Sequence, residues 1–326
     1  MRKVLKALLV LVLLAGVGLA GGAWWAREQW RSPGPLPQPT AIVVPRGSSQ
    51  AIGEVLLEQS AIRDPRIFTL AARLTRSEGP LRAGEYLFPA HASLAQVLDV
   101  LRNARPVQRR LTLPEGLTAR QIAALIEAAP GLTGETPAFD EGALLPETYS
   151  YEYGDARAVL IRRATQAMTA TLERLWKGRS EGLPLETPRE ALVLASIVER
   201  ETGMPEERPR VAAVFINRLR RGMPLQSDPT VAYAAADGMP LDRPLTRADL
   251  DRDHPFNTYR IRGLPPGPIA SPGEKSLEAV LHPAETDELY FVADGTGGHA
   301  FARTLDEHNR NVARWRQLER QRANSR

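Results

Sequence analysis

The most restrictive stretch of this 326-residue chain is a helix with almost no polar side. Thr187-Pro188-Arg189-Glu190 forms a capping box with proline at the first helical position, and Gly203 supplies a left-handed stop. Between them, Ala191 to Val198 is apolar at every position except Ser196, a pattern that demands burial all round rather than an amphipathic surface helix. A domain has to be built around it. The stripe Ala191, Leu194, Ala195, Val198 and Thr202 marks its most buried face. The helix nevertheless ends in Glu199-Arg200-Glu201-Thr202, and carboxylates at the end of a buried helix require partners or a task.

At about 100° per residue the two glutamates point about 200° apart and cannot share one cleft. Glu201 follows Leu194, Ile197 and Val198 on the helical wheel, close to the buried face. Glu199 lies nearer its edge, above Leu192, Ala195 and Ser196. Glu201 also occupies the last turn, where the negative end of the helix dipole and apolar neighbours both favour the neutral acid. A carboxyl that stays protonated near neutral pH can donate a proton to a leaving group. The alternative is that both glutamates pair with Arg200, Arg208 or Arg210. A second helix follows, with Pro209 near its start, Gly222 after its end, and Val211, Val214, Phe215 and Leu219 as its apolar stripe. Leu225 to Thr230 reads as a polar loop, and Val231–Ala236 as a short helix.

The run ASIVERETG, continued by VAAVFINRLRRGMPLQSDPTVAYA, resembles the endolytic murein transglycosylases, the MltG or YceG-like family. The likeness extends through Phe256-Asn257-Thr258-Tyr259, the proline- and glycine-rich stretch 263–273, residues 279–284 and residues 289–301. It therefore covers nearly the whole chain after residue 40. Leu145-Pro146-Glu147-Thr148-Tyr149 matches a family segment near the cleft, with glutamate for the commoner aspartate, and Phe256 stands where relatives usually carry tyrosine. The resemblance places the catalytic acid, the second glutamate of E-x-E-T, on Glu201. It implies a lyase that cuts the β-1,4 bond between N-acetylmuramic acid and N-acetylglucosamine in nascent peptidoglycan glycan strands. The product would be a 1,6-anhydromuramyl end that terminates polymerisation, made without metal or organic cofactor, beside glycan polymerases as partner cell-wall synthases.

Gln226, Asp228, Asn257 and Tyr259 are the substrate-side candidates. Amide and hydroxyl groups in loops suit the acetamido and hydroxyl groups of an N-acetylated sugar, and Tyr259 offers a stacking face. Stabilising turns is the competing role, above all for Asp228 before Pro229. Two rival functions remain: a two-carboxylate muramidase pairing Glu201 with Asp228, and a non-catalytic glycan-binding scaffold for synthases.

Arg2, Lys3 and Lys6 precede an uncharged run, Ala7–Ala26, that ends in Trp24-Trp25 and is long enough to span a bilayer. The basic flank puts the N-terminus in the cytoplasm and the tryptophans at the far interface. The expectation is a single-pass protein of the inner membrane, held by lipid through residues 1–28, with its catalytic region extracytoplasmic. Small residues at 19–23 leave a cleaved signal peptide as the alternative. Residues 29–39 read as a proline-rich, semi-rigid spacer.

The expected fold is α+β. A strand at 41–44, helices to about Gln59 and over 65–76, a strand at 81–88 and a helix over 94–102 capped by Ser93 resemble a LysM-like subdomain over 40–105. It would either bind glycan or position the catalytic domain. That domain spans 106–320, with a strand at 109–113, helices over 119–128 and 156–176, a one-turn helix at 246–250, a strand at 289–292 paired with a segment from Phe301, and a last helix from Leu305. Residues 321–326 read as a frayed tail.

There is no cysteine, which removes disulfides, thiolate metal sites and cysteine nucleophiles. None of the five histidines, His91, His254, His282, His299 and His308, has metal-ligand spacing to another. Gly295-Thr296-Gly297-Gly298 lies between two strands and reads as a hairpin turn rather than a phosphate loop. The net charge of +4 forms no nucleic-acid stripe.

Overall fold

The computed structural model describes residues 2–324, which divide into one unit of Met1–Arg109 with Tyr151–Asp155 and another of Arg110–Ser150 with Ala156–Arg326. In the first, the uncharged run lies in one unbroken helix, α1 (Arg2–Arg31), whose Leu8–Arg31 portion is long and apolar enough to cross a membrane. The chain continues through β1 (Thr40–Val44), α2 (Ser49–Glu58), α3 (Pro65–Leu74), β2 (Gly84–Phe88), α4 (Leu94–Asn103) and β3 (Gln108–Thr112). Each helix start is set locally. Ser48 accepts from the Ala51 amide, Asp64 from that of Arg66 ahead of Pro65, and Ser93 with Gln96 forms a reciprocal capping box. β1 and β2 pair antiparallel with Ile42 opposite Tyr86, so the strand–helix–helix–strand order is present. Ile42, Leu56, Phe68, Tyr86, Phe88 and Leu101 fill its core.

The proline-rich segment after α1 does not stand free as a spacer. Leu36 is buried in the same core, the Gly34 amide donates to the His91 carbonyl at 3.0 Å, and the His91 amide donates to the Leu36 carbonyl at 2.7 Å. A Cβ on Gly34 would lie 2.2 Å from the Ala92 carbonyl oxygen, so only glycine permits this approach.

The second unit contains α5 (Ala119–Ala128), β4 (Thr148–Glu152), α6 (Arg157–Lys177), α7 (Pro188–Glu201), α8 (Arg208–Arg220), α9 (Asp228–Ala236), α10 (Arg247–Asp251), α11 (Glu274–Leu281), β5 (Tyr290–Ala293), β6 (His299–Ala302) and α12 (Leu305–Asn324). β5 pairs with β6. The apolar helix α7 packs against α6, α8, α9 and α11, and every residue from Ala191 to Val198 is buried. Its one polar member is satisfied: Ser196 donates to the Val193 carbonyl at 2.7 Å and accepts the Ile269 amide at 3.0 Å.

Several local expectations need correction. α7 ends when Thr202 turns extended (φ −133°, ψ 132°), and Gly203 is not left-handed; beyond the helix the Thr202 hydroxyl accepts the Met204 amide at 3.0 Å. Asp228-Pro229 opens α9 rather than closing a loop, with the carboxylate in the first turn, where the helix dipole favours it. α11 is too short for its apolar spacing to signal a helix, yet Leu277, Val280 and Leu281 are fully buried. β6 begins at His299, and Phe301 pairs with Phe291 inside the hairpin rather than starting the strand. α12 stays helical to Asn324; the rest of the expected frayed tail lies outside the described residues.

Leu194 is fully buried in the core around α7, so Leu194→Ala should lower unfolding free energy by about 2–5 kcal/mol, read from the urea midpoint. Leu125→Ala, at a residue 36% exposed, should change it far less.

Candidate active site

Two glutamates two residues apart on α7 meet different surroundings. Glu199 is an ion-pair partner: Arg208 donates to its Oε1 at 3.0 Å and the Gly273 amide to its Oε2 at 2.9 Å, with only 5% of its side chain exposed. Arg208 also reaches Glu115 at 3.3 Å. That carboxylate presses on Gly273 so closely that a Cβ there would lie 1.8 Å from Glu115 Oε1. The ion-pair alternative therefore describes Glu199. Of the other two arginines, Arg200 bonds the Gly116 carbonyl and Arg210 is paired with Glu288.

Glu201 has no arginine bonded to it. Ser227 donates to its Oε1 at 2.5 Å. Burial of the carboxyl pushes its pKa up to about 7 from an ordinary 4.5. The Ser227 hydrogen bond opposes that rise, the negative charge of Asp228 adds to it, and the positive charge of Arg218 opposes it. A single helix turn thus carries one carboxylate paired with a guanidinium and one carboxyl that holds its proton near neutral pH.

The candidate substrate residues separate into two groups. Gln226 and Asp228 are exposed on either side of buried Ser227. Gln226 accepts from Arg218 at 3.3 Å, and its backbone is left-handed at φ 51°. Asp228 accepts the Tyr259 hydroxyl at 2.6 Å, and burial followed by that bond raises the Tyr259 pKa above its ordinary range. These three residues and Glu201 belong to one neighbourhood. Asn257 does not share their exposure. It is buried, gives its amide to the Leu250 and Arg252 carbonyls at 3.0 and 2.7 Å, and accepts the Tyr259 amide at 3.0 Å. Its side chain shapes the loop that carries Tyr259.

Two site residues escaped the sequence reading. Ser227 lies within the loop read as polar, but nothing in its spacing shows that it reaches back to Glu201. Arg218 sits on α8 and is buried; it donates to the Leu225 and Leu289 carbonyls at 2.8 and 2.7 Å, bracing the loop that presents Ser227. Another carboxyl, Glu141, is also raised by burial, but it is tied to the Ala119 amide at 2.7 Å and the Tyr233 hydroxyl at 3.3 Å. His299 is bonded to Glu207 at 2.7 Å, and His308 stacks on Tyr290, both structural arrangements. Among the described residues, no group of three or more His, Cys, Asp or Glu side chains is placed to hold a metal ion.

The Glu201 shift has a testable sign. Between pH 4.5 and about 7 the unfolded chain has released this proton while the folded chain keeps it, so stability falls as pH rises through that window and levels off above it. The full loss is on the order of 3 kcal/mol. Relative to the parent, Glu201→Gln should gain stability across this window, measured by chemical denaturation at pH 4, 6 and 8. A constant difference across that range would contradict the shifted carboxyl.

Residues 42–314 match the YceG-like family. The chain is 33% identical over 302 residues to an endolytic murein transglycosylase of Bacillus subtilis, covering 82% of each chain. It is 32% identical over 323 residues to one of Streptococcus pneumoniae, covering 83% of this chain and 57% of that longer protein. A 2.6 Å crystal structure of a yceG-like protein of Listeria monocytogenes is similar with a TM-score of 0.54 and 28% identity, over 84% of this chain and 98% of that one. With the match spanning most of its length and the acid-bearing helix at the centre of its second unit, this chain belongs to the YceG-like family.

Proposed function

We propose that the chain is a membrane-anchored endolytic transglycosylase of peptidoglycan, with Glu201 as its single acid–base group. The observation that carries this reading is the Glu201 carboxyl, held by the Ser227 hydroxyl and set apart from the ion-paired Glu199, beside exposed Gln226 and Asp228 and the half-buried Tyr259; burial pushes the Glu201 pKa up to about 7. Those three side chains bind the N-acetylated sugars on either side of the scissile bond. Glu201 gives its proton to the glycosidic oxygen, and the bond to the muramyl anomeric carbon breaks with its electron pair passing to that oxygen. The resulting carboxylate takes the proton of the muramyl 6-hydroxyl as O6 attacks the anomeric carbon. The 1,6-anhydro ring closes and no water is consumed, so one carboxyl completes the cycle and growth of the nascent strand ends there.

A second reading, a two-carboxylate muramidase, draws on Asp228, whose charge acts on Glu201. Products separate them: hydrolysis leaves reducing ends and lysis leaves anhydro ends. In the same proposal α1 is the anchor, with the N-terminus cytoplasmic and both units on the outer side of the inner membrane. The β1–α2–α3–β2 arrangement acts as a LysM-like glycan-binding element, and glycan polymerases are the partners that supply the strand.

Glu201→Gln keeps the shape and the acceptor for Ser227 but has no carboxylic proton. Anhydromuramyl product from uncrosslinked glycan should fall ~10²-fold or more, with circular dichroism unchanged. Glu199→Gln should lose far less activity and more stability, because it weakens a buried ion pair. A Glu201→Gln rate within about threefold of the parent would remove Glu201 from the mechanism.

A further inference from the structure

Ser227 is held through both of its backbone groups while its hydroxyl donates to Glu201. The residue is 1% exposed. Thr230 Oγ1 lies 2.7 Å from the Ser227 carbonyl, which only accepts, so the Thr230 proton is used there. The 2.9 Å contact between Thr230 Oγ1 and Thr258 Oγ1 is then donated by Thr258. Thr258 Oγ1 in turn accepts the Ser227 amide at 2.9 Å. Two threonine hydroxyls thereby bind both backbone groups of Ser227, and neither can reverse its proton without losing a bond. The preceding amide, of left-handed Gln226, donates to the Thr258 carbonyl at 3.1 Å. All of this fixes the backbone from which the Ser227 hydroxyl reaches Glu201.

We infer that Ser227 is the positioning residue of the acid: by donating to Oε1 it reserves that oxygen as an acceptor and leaves the transferable proton on Oε2. This rests on the function proposed for Glu201. In the neutral acid Oε2–H faces the glycosidic oxygen. After transfer, Oε1 keeps its hydrogen bond and Oε2 receives the proton of the muramyl 6-hydroxyl, so one oxygen both gives and takes. Ser227 retains its own proton throughout, and the count closes over the cycle. The charged and titratable groups that act on Glu201 from neighbouring elements are Arg218 on α8, Asp228 on α9, and Tyr259. None of them supplies the donor that Ser227 supplies at Oε1.

The test uses the full-length protein in detergent. Ser227→Ala removes the donor and leaves burial and Asp228 in place. The alkaline limb of kcat/KM for anhydro product should move up by about one pH unit, with activity at pH 6 down ~10-fold. Thr258→Val keeps Ser227 but loosens it, and should shift the limb the same way by less. The pH window over which stability differs from that of the Glu201→Gln background should also extend upward in Ser227→Ala, a readout that needs no activity. A rate loss with limb and window unmoved, or moved down, would make Ser227 merely structural and overturn the assignment. Reducing ends from the parent would instead defeat the transglycosylase reading, leaving the stability window to decide on Ser227. Should Ser227→Ala fail to fold, Thr258→Val carries both readouts.

Discussion

A carboxyl group removed from water at the end of an apolar helix is costly to ionise, and the second unit is arranged around that one penalty. α7 has neighbours on every side, so its last turn emerges from the core carrying Glu199 and Glu201 together. An unpaired buried charge is among the most destabilising features a fold can hold. The structure answers it twice. Glu199 receives a guanidinium and a backbone amide, and Glu201 receives a hydroxyl and keeps its proton. Chemically identical side chains two positions apart are left in different states, one ion-paired and one holding its proton, by their surroundings alone.

The supports of the site come from distant parts of the chain. Gly273 and Glu115 flank the Glu199–Arg208 pair, and Thr258 and Thr230 hold Ser227. Arg218 braces the loop between α8 and α9 from below, with three of its bonds going to backbone carbonyls. Its charge opposes the rise of the Glu201 pKa without bonding to it, adding to the larger opposing effect of the Ser227 hydrogen bond. Exposed Gln226 and Asp228 then face outward from a rigid base.

Much of the framework was legible in the sequence because its signals are local. Ser93 and Thr187, read as helix caps from the sequence, both act as caps. The burial of α7 followed from composition, and the helical wheel favoured Glu201. What the sequence hid depends on contacts across long separations. Ser227 reaches a residue 26 positions earlier, and Asn257 looked like a sugar ligand because its three backbone acceptors are formed by the folded loop. The stop at Gly203 was misread because the chain turns extended one residue earlier, at Thr202, so no left-handed glycine is needed. The proline-rich spacer was misread for a related reason: composition gives stiffness, but whether Leu36 finds a core is a tertiary matter.

The most direct measurement is the ionisation of Glu201 itself, followed by the carboxyl carbon-13 shift of glutamate-labelled protein and assigned by its loss in Glu201→Gln. The expected titration midpoint is about 7, on a resonance that at pH 6 still reports a protonated acid. A midpoint between 4 and 5, the range of an ordinary exposed glutamate, would contradict the claim that burial in this site holds the proton.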